Sequence, residues 1–349
     1  MGARRARIVA LAAVALVAAV LVFGFLLFQP FAGRGSGRVV VQVPHGLGAS
    51  QIGDLLEQRG VVDSSFFFNL RARLSGKRSN LRSGTFTLHR GMSYSAAIDA
   101  LTAPPPPTRV VHVTIPEGLS RREAAPLVAS AGVRGSYVAA TLRAPGFPLR
   151  RYGAPASTHS LEGFLFPATY DLKAHSPVRA LVTKQLIAFQ RNLAGVGLGY
   201  ARHKQLTPYD VVTIASMVER EAQVDAERPL VAAVIYNRLH IKLPLGIDAT
   251  LRYALADWTK PLTKSQLALP TPYNTRLHAG LPPTPIGNPG LASLRAAAHP
   301  AHSTFLYYVV KPGACGRHAF SSTNAQFLAD VARYNAARAK AGGRSPTKC

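Results

Sequence analysis

The sequence predicts an α+β protein with a single N-terminal transmembrane helix, a small βααβ module and a larger mixed α+β domain. Three observations predict this. An uncharged apolar run opens the chain. Alternating, strand-like stretches then switch to helical spacing at a serine more than once. Beyond a run of prolines, helical stretches alternate with loops rich in proline and glycine. At 349 residues and 48% apolar content the chain is long enough for one large domain or two smaller ones with a real core.

The apolar run extends from Ile8 to Phe28 and follows Arg4, Arg5 and Arg7. About 20 apolar residues cross a bilayer, whereas the apolar part of a cleaved signal peptide usually spans about 7–15. No A-x-A site follows promptly. Residues 1–29 therefore read as an uncleaved, single-pass anchor in the cell membrane. Arginines ahead of the run place the N-terminus in the cytoplasm and everything after Gln29 outside it. The stretch "FAGRGSGR" (31–38) is a glycine-rich, basic linker of the flexible kind, so residues 30–38 lift the rest off the membrane.

The module covers 39–103. "VQVPHGLGASQIGDLLEQRGVV" opens with alternation, turns at glycine, and continues as an amphipathic helix carrying Ile52, Leu55 and Leu56. "FTLHRGMSYSAAIDALTA" repeats the pattern with Gly91 at the turn, Ser93 as N-cap, and Ala97, Ile98 and Leu101 on the helix. "TAPPPPTR" (102–109) is stiff and extended. The pattern returns after it in "VHVTIPEGLSRREAAPLVASAGV", with Gly118 as the turn and Ser120 as the cap.

The larger domain covers 108–340. Helical spacing is found near 178–195, 207–223, 226–240 and 323–339, and "AARAKAGGRSPTKC" frays into a disordered tail at 341–349. The loop "PTPYNTRLHAGLPPTPIGNPG" (270–290) has no periodicity, and loops of that length inside a compact domain usually bind something.

Lys and Arg number 41 against 16 Asp and Glu, a net charge of +25 spread along the chain. Such a balance describes partners rather than fold. Nucleic acid, anionic headgroups and anionic wall polymers all fit, and an anchor that exports the domain removes nucleic acid. Cys315 and Cys349 lack the spacing of a zinc site, and both pairing and free thiols stay open. No cofactor or metal is expected.

Scarce carboxylates concentrate in "ASMVEREAQVDAERP" (215–229), which holds Glu219, Glu221, Asp225 and Glu227. Thr207 as N-cap, Pro208 at the first position and Asp210 in the capping box start a helix there. Val211, Ile214, Ala215, Val218 and Ala222 form its buried stripe. At about 100° per residue, Glu219 lies at the edge of that stripe beside Val212, with Arg220 pointing to solvent. Glu221 falls on the other flank, and Asp225 is placed to cap the next helix. A half-sheltered carboxyl is the kind whose pKa rises toward neutrality. Helical i,i+4 pairs on a solvated face explain the same charges without chemistry.

Five stretches, "LEGFLFPATYDL" (161–172), "ASMVEREA" (215–222), "RPLVAAVIYNRL" (228–239), "PYNTRLHAGLPPTPIGNPGLASLRAAAHP" (272–300) and "HAFSSTNAQF" (318–327), together resemble the endolytic murein transglycosylase family with its YceG-like domain. The resemblance extends from about 39 to 340. It implies an anchor, a LysM-like module and a YceG-like catalytic domain. It implies a lytic transglycosylase that cuts the MurNAc–GlcNAc bond of peptidoglycan glycan strands without water, leaving 1,6-anhydro-MurNAc ends and terminating nascent strands. The catalytic glutamate of that family, first in its S-hydrophobic-V-E-x-E segment, matches Glu219, and the resemblance gives it both acid and base roles. Candidate substrate-binding residues are Glu162, Glu221, Asn237, Asp248, Thr250, Tyr273, Asn274 and Thr275, whose carboxyls, amides, hydroxyls and aromatic face suit a glycan. Glu162 reads equally as the buried partner of an arginine, the others as loop braces, and His299 as a helix-end hydrogen bonder. "LGIDATLRY" (245–253) departs from the family: Asp248 and Thr250 remain, but Gly246 supplies no side chain. Peptidoglycan synthases in the membrane, and anionic lipid or wall polymer met by the basic surface, are the further partners expected. A non-catalytic wall-binding scaffold and a hydrolytic muramidase are the alternatives.

Overall fold

The structure, a computed structural model, describes residues 2–29, 32–105, 109–142 and 146–347, with side chains from Arg7 onward. Its contacts divide the chain into two compact units, Met1–Pro107 and Thr108–Cys349.

The first unit opens with α1 (Gly2–Phe28). Its segment Arg7–Phe28 has a mean hydropathy of 2.9 and is long and apolar enough to cross a membrane. There follow β1 (Ser36–Val43), α2 (Ala49–Gln58), α3 (Ser65–Leu74), β2 (Gly84–Arg90) and α4 (Tyr94–Thr102). β1 and β2 pair antiparallel, with Val41 opposite Phe86. Alternation turns Val41, Val43 and Leu88 onto one face, where they pack with Ile52, Leu56, Phe68, Ile98 and Leu101. Ser93 caps α4 by accepting the Ala96 N–H at 3.2 Å. The βααβ order expected from sequence is present, and the helix expected after Ser93 follows it as α4. The linker is shorter than expected: Ser36 and Arg38 already pair with Arg90 and His89, so β1 begins inside "GRGSGR". Part of "TAPPPPTR", residues 106–108, lies outside the described residues.

The second unit runs β3 (Val110–Thr114), α5 (Arg121–Ser130), α6 (Tyr137–Leu142), β4 (Thr169–Lys173), α7 (Val178–Ala194), α8 (Gly199–His203), α9 (Pro208–Glu221), α10 (Arg228–His240), α11 (Asp248–Leu255), α12 (Lys264–Leu267), α13 (Leu291–Ala298), β5 (Tyr307–Val310), β6 (His318–Ser321) and α14 (Asn324–Lys340). β3 pairs with β4 and β5 with β6, both antiparallel. The strand–turn–helix pattern at 111–133 is β3, Gly118 at φ +80° and α5, whose cap Ser120 forms a capping box with Glu123. Segment 270–290 has no helix or strand.

The centre of this unit is α9. Thr207 accepts the Asp210 N–H at 3.2 Å, Asp210 accepts the Thr207 N–H at 2.8 Å, and Pro208 fills the first position. The sequence reading gave α9 one buried stripe. In the structure every residue from Val211 to Val218 is buried, because α10 and α13 pack on it and the loop before α13 covers what is left. Thr213 and Ser216 sit inside this envelope by returning their hydroxyls to Tyr209 O and Thr213 O, and Ser216 Oγ also accepts the Ile286 N–H at 3.0 Å. Glu219 is therefore the point where a fully enclosed helix comes out. Cys315 is disulfide-bonded, and Cys349 lies outside the described residues.

Candidate active site

Two loops meet above the C-terminal turn of α9. One, between β3 and α5, carries Glu117, Gly118 and Leu119. The other, ahead of α13, carries Gly287, Asn288 and Gly290. They are zipped by main-chain bonds: Gly118 N–H donates to Asn288 O at 2.8 Å and Asn288 N–H to Leu119 O at 3.0 Å. A Cβ on Gly287 would lie 2.2 Å from Gly118 O, so only glycine permits this approach.

The Asn288 side chain, buried, fastens a third loop. Its Oδ1 accepts the N–H groups of Gly163 and Leu165 at 2.9 and 3.0 Å. Its Nδ2 donates to Leu119 O at 2.8 Å and to Glu162 Oε1 at 3.0 Å. Glu162 is 1% exposed. It also accepts from Arg121 N–H at 3.0 Å and from Tyr253 OH at 3.1 Å, and its carboxylate lies 3.7 Å from the Arg121 guanidinium. Burial pushes its pKa up to about 7, against the opposing pull of Arg121 and the hydrogen bonds. Glu162 is thus the buried partner of an arginine, set beneath the loops.

Glu219 lies at the junction of the two loops, its side chain 6% exposed. Oε1 accepts from Arg228 Nη2 at 2.9 Å and Oε2 accepts the Gly290 N–H at 2.9 Å. Arg228 is buried at the start of α10; it also donates to Ser293 Oγ at 2.9 Å and pairs with Asp225. Asp225 itself begins a single 3-10 turn rather than capping α10. Gly290 is the N-cap of α13, and a Cβ there would lie 2.1 Å from the Glu117 carboxyl. Glu117 is exposed. Its pKa is nonetheless raised, first by partial desolvation and then by the charge of Glu219, with Arg228 opposing.

Arg220 does not point to solvent, as the helical wheel implied. Its guanidinium stacks 3.6 Å from the Trp258 ring centroid and pairs with Glu123 of α5, leaving the side chain 15% exposed. α5 and the segment after α11 close over that flank, which a wheel drawn for an isolated helix cannot show.

The other expected residues form separate groups. Glu221 is enclosed rather than on a free flank: Tyr308 OH donates to it at 3.0 Å, and burial raises its pKa, with Asp248 adding to the shift. Asp248 pairs with Arg276 at 2.6 Å. Thr250 and Thr275 are buried, 3.2 Å apart, and Thr275 Oγ1 accepts the Ile247 N–H at 3.0 Å. Asn274, also buried, donates to Leu267 O and Leu269 O. Tyr273 bonds Thr284 at 2.8 Å and packs on Tyr253, and Asn237 donates to Ser303 O and Phe305 O at 2.9 Å. Gly246, the departure noted in the sequence, has φ +62°, a conformation that suits glycine. Sequence reasoning missed Glu117, Arg228, Gly290 and Asn288. Glu117 was visible as the acid beside the Gly118 turn, and Asn288 as the amide in "IGNPG". No cluster of three or more His, Cys, Asp or Glu fit to hold a metal exists among the described residues.

The sequence model of the YceG-like family matches residues 41–333. The chain belongs to the YceG-like family. The matched stretch of this YceG-like chain contains every residue of the site just described. A protein of Bacillus subtilis (strain 168) named endolytic murein transglycosylase is 29% identical over 301 residues, covering 83% of both chains. One of the same name from Streptococcus pneumoniae (strain R6) is 29% identical over 306 residues, covering 78% of this chain and 54% of its own. This chain therefore spans about half of the pneumococcal relative. A crystal structure of a YceG-like protein from Listeria monocytogenes superposes with a TM-score of 0.55 at 26% identity, covering 84% of this chain and 99% of that one.

Proposed function

We propose that this YceG-like chain is a membrane-anchored endolytic transglycosylase of peptidoglycan, with Glu219 as its catalytic carboxyl. The names of its relatives support the reaction class. The observation that carries the site is the setting of Glu219: an acceptor carboxyl at the end of an enclosed helix, aimed by a guanidinium and a backbone N–H. A carboxyl held this rigidly keeps its position through a reaction, which is what acid–base catalysis asks of it.

In the reaction, the MurNAc C6 hydroxyl attacks C1 of the same sugar. The C1–O bond to GlcNAc breaks, and a 1,6-anhydro-MurNAc end forms with no water consumed. Asp248 and Tyr273 are retained as glycan contacts, and Glu221, enclosed against Tyr308, backs them. Glu162, Thr250, Asn274 and Thr275, being buried, and Asn237 shape the walls from beneath. The first unit supplies a LysM-like glycan-binding module, and α1 anchors the protein with its N-terminus in the cytoplasm. The basic surface meets anionic lipid or wall polymer, and membrane peptidoglycan synthases supply the strands whose growth is terminated.

Mass spectrometry of glycan-strand digests tests this reading. Wild type should yield anhydro ends, and Glu219→Gln should lose at least about 10²-fold in rate. Reducing ends would replace the reading with a hydrolytic muramidase, and no products at all with a wall-binding scaffold.

A further inference from the structure

We propose that Glu117 is a second catalytic carboxyl of this site, the acid that protonates the departing oxygen, while Glu219 takes the proton of the attacking hydroxyl. The inference rests on the reading of Glu219 as the catalytic carboxyl.

Both carboxyls meet at one glycine. Glu219 Oε2 accepts the Gly290 N–H at 2.9 Å, and the Glu117 Cδ and Oε1 each lie 2.1 Å from where a Gly290 Cβ would be. The absent side chain of Gly290 is what lets Glu117 reach the junction. Gly118, next to it, holds φ +80°, and a Cβ there would lie 3.2 Å from Glu219 Cγ. The loop of Glu117 is therefore pressed onto the Glu219 stem.

The surroundings of the two groups differ as an acid and a base require. Both Glu219 oxygens are acceptors, one from Arg228 and one from a backbone N–H, which fixes the carboxyl as an acceptor facing the junction. Glu117 makes no hydrogen bond or ion pair among the described residues and is exposed, so a substrate oxygen can reach it. The charged groups facing it are Glu219 of α9, Asp225 before α10 and Arg228 of α10. The loop 285–290 and the first turn of α13 contribute no titratable group. Partial desolvation and the charge of Glu219 raise the Glu117 pKa, so its proton is kept to higher pH than usual.

The step balances. The O–H of Glu117 breaks as its proton joins the oxygen leaving C1, and the C1–O electron pair departs with that oxygen as a free 4-hydroxyl. The C6 oxygen bonds C1 and yields its proton to Glu219. Return of that proton from Glu219 to Glu117 resets the pair. Water in place of the C6 hydroxyl would use the same acid, so the proposal stands apart from the nature of the product.

Leaving-group dependence tests it on the full-length protein, with glycan strands and with an aryl glycan carrying 4-nitrophenol on the MurNAc C1. Glu117→Gln should lower kcat on glycan strands by about 10²–10⁴-fold with KM little changed, and should abolish the alkaline limb of the pH profile. On the aryl glycan, whose phenol leaves without a proton, it should recover to within about tenfold of wild type. Glu219→Gln should lose activity on both substrates. Gly290→Ala, whose φ of −75° suits alanine, should displace the Glu117 carboxyl and show the same selective recovery even where Glu117→Gln fails to fold. Retention of more than about a tenth of the activity on glycan strands by Glu117→Gln would overturn the proposal, as would an equal loss on both substrates. Full activity in Glu219→Gln would instead overturn the underlying reading of Glu219.

Discussion

Glu162 is a carboxyl that burial holds partly in its acid form, and the sign of its effect on stability follows. Its pKa in the folded chain is about 7 against an ordinary 4.5. Between these values the folded state keeps a proton that the unfolded state gives up. The contribution is therefore fully present below about pH 4.5, declines as pH rises, and is lost above about 7. Urea midpoints between pH 4.5 and 8 should show wild type losing on the order of 1–3 kcal/mol relative to Glu162→Gln, whose amide does not titrate. Parallel curves for the two proteins would remove the assignment. Glu219 carries a different lesson at the same scale. Its partner Arg228 is buried, so the pair is not one of the surface pairs worth roughly 0–1 kcal/mol. Glu219→Gln keeps one acceptor but turns an NH2 toward either the Arg228 guanidinium or the Gly290 N–H, and a loss of about 1–3 kcal/mol is expected in urea unfolding, below what would unfold the domain. Glu221→Gln should cost stability as well, because Glu221 is enclosed and accepts from Tyr308 OH.

Elements meet at the site through loops, and one amide joins them. Asn288 bonds the chain at Leu119, Gly163 and Leu165, and the side chain of Glu162. Truncation strands the two buried N–H groups of Gly163 and Leu165, each costing about 1–3 kcal/mol, while Leu119 O keeps the main-chain N–H of residue 288. Asn288→Ala should therefore destabilise the second unit by about 3–5 kcal/mol in urea or thermal unfolding and reduce turnover with it. A change below about 1 kcal/mol would mean that water replaces the amide. The same scale shows what helical spacing reveals. The starts of α9, α10 and α14 are marked by Thr207 with Pro208, by Pro229 and by Thr323. The burial of α9 on all sides does not, since Thr213 and Ser216 look polar until their hydroxyls are seen bonding their own helix.

For the whole molecule, α1 and the two compact units make separate predictions. Alkaline carbonate should leave the full-length protein in the membrane pellet, and a mature form beginning after Ala32 would end the anchor reading. All residues of the candidate site lie in Thr108–Cys349. A fragment of those residues should fold cooperatively by circular dichroism and cut soluble glycan in a Glu219-dependent way. Its cutting of long strands should weaken when the module is absent. Undiminished affinity for glycan without the module would leave the first unit with no binding role.

The sequence by itself determined what is written in neighbouring residues. A long uncharged run gives α1, alternation changing to helical spacing at Ser93 and Ser120 gives strands followed by capped helices, and the segment around Glu219 carries the family resemblance. Short-range sterics and capping bonds decide these features, and they act within a few residues. Only the tertiary structure decided which groups face Glu219. Glu117 and Arg228 come from two separate stretches, and Asn288 and Gly290 from a third. They converge because α10 and α13 pack on α9 and glycines let two loops touch, and spacing along one chain carries no record of that approach. Arg220 shows the same limit: its sequence neighbours leave it facing water, and Trp258 and Glu123, brought from distant segments, cover it.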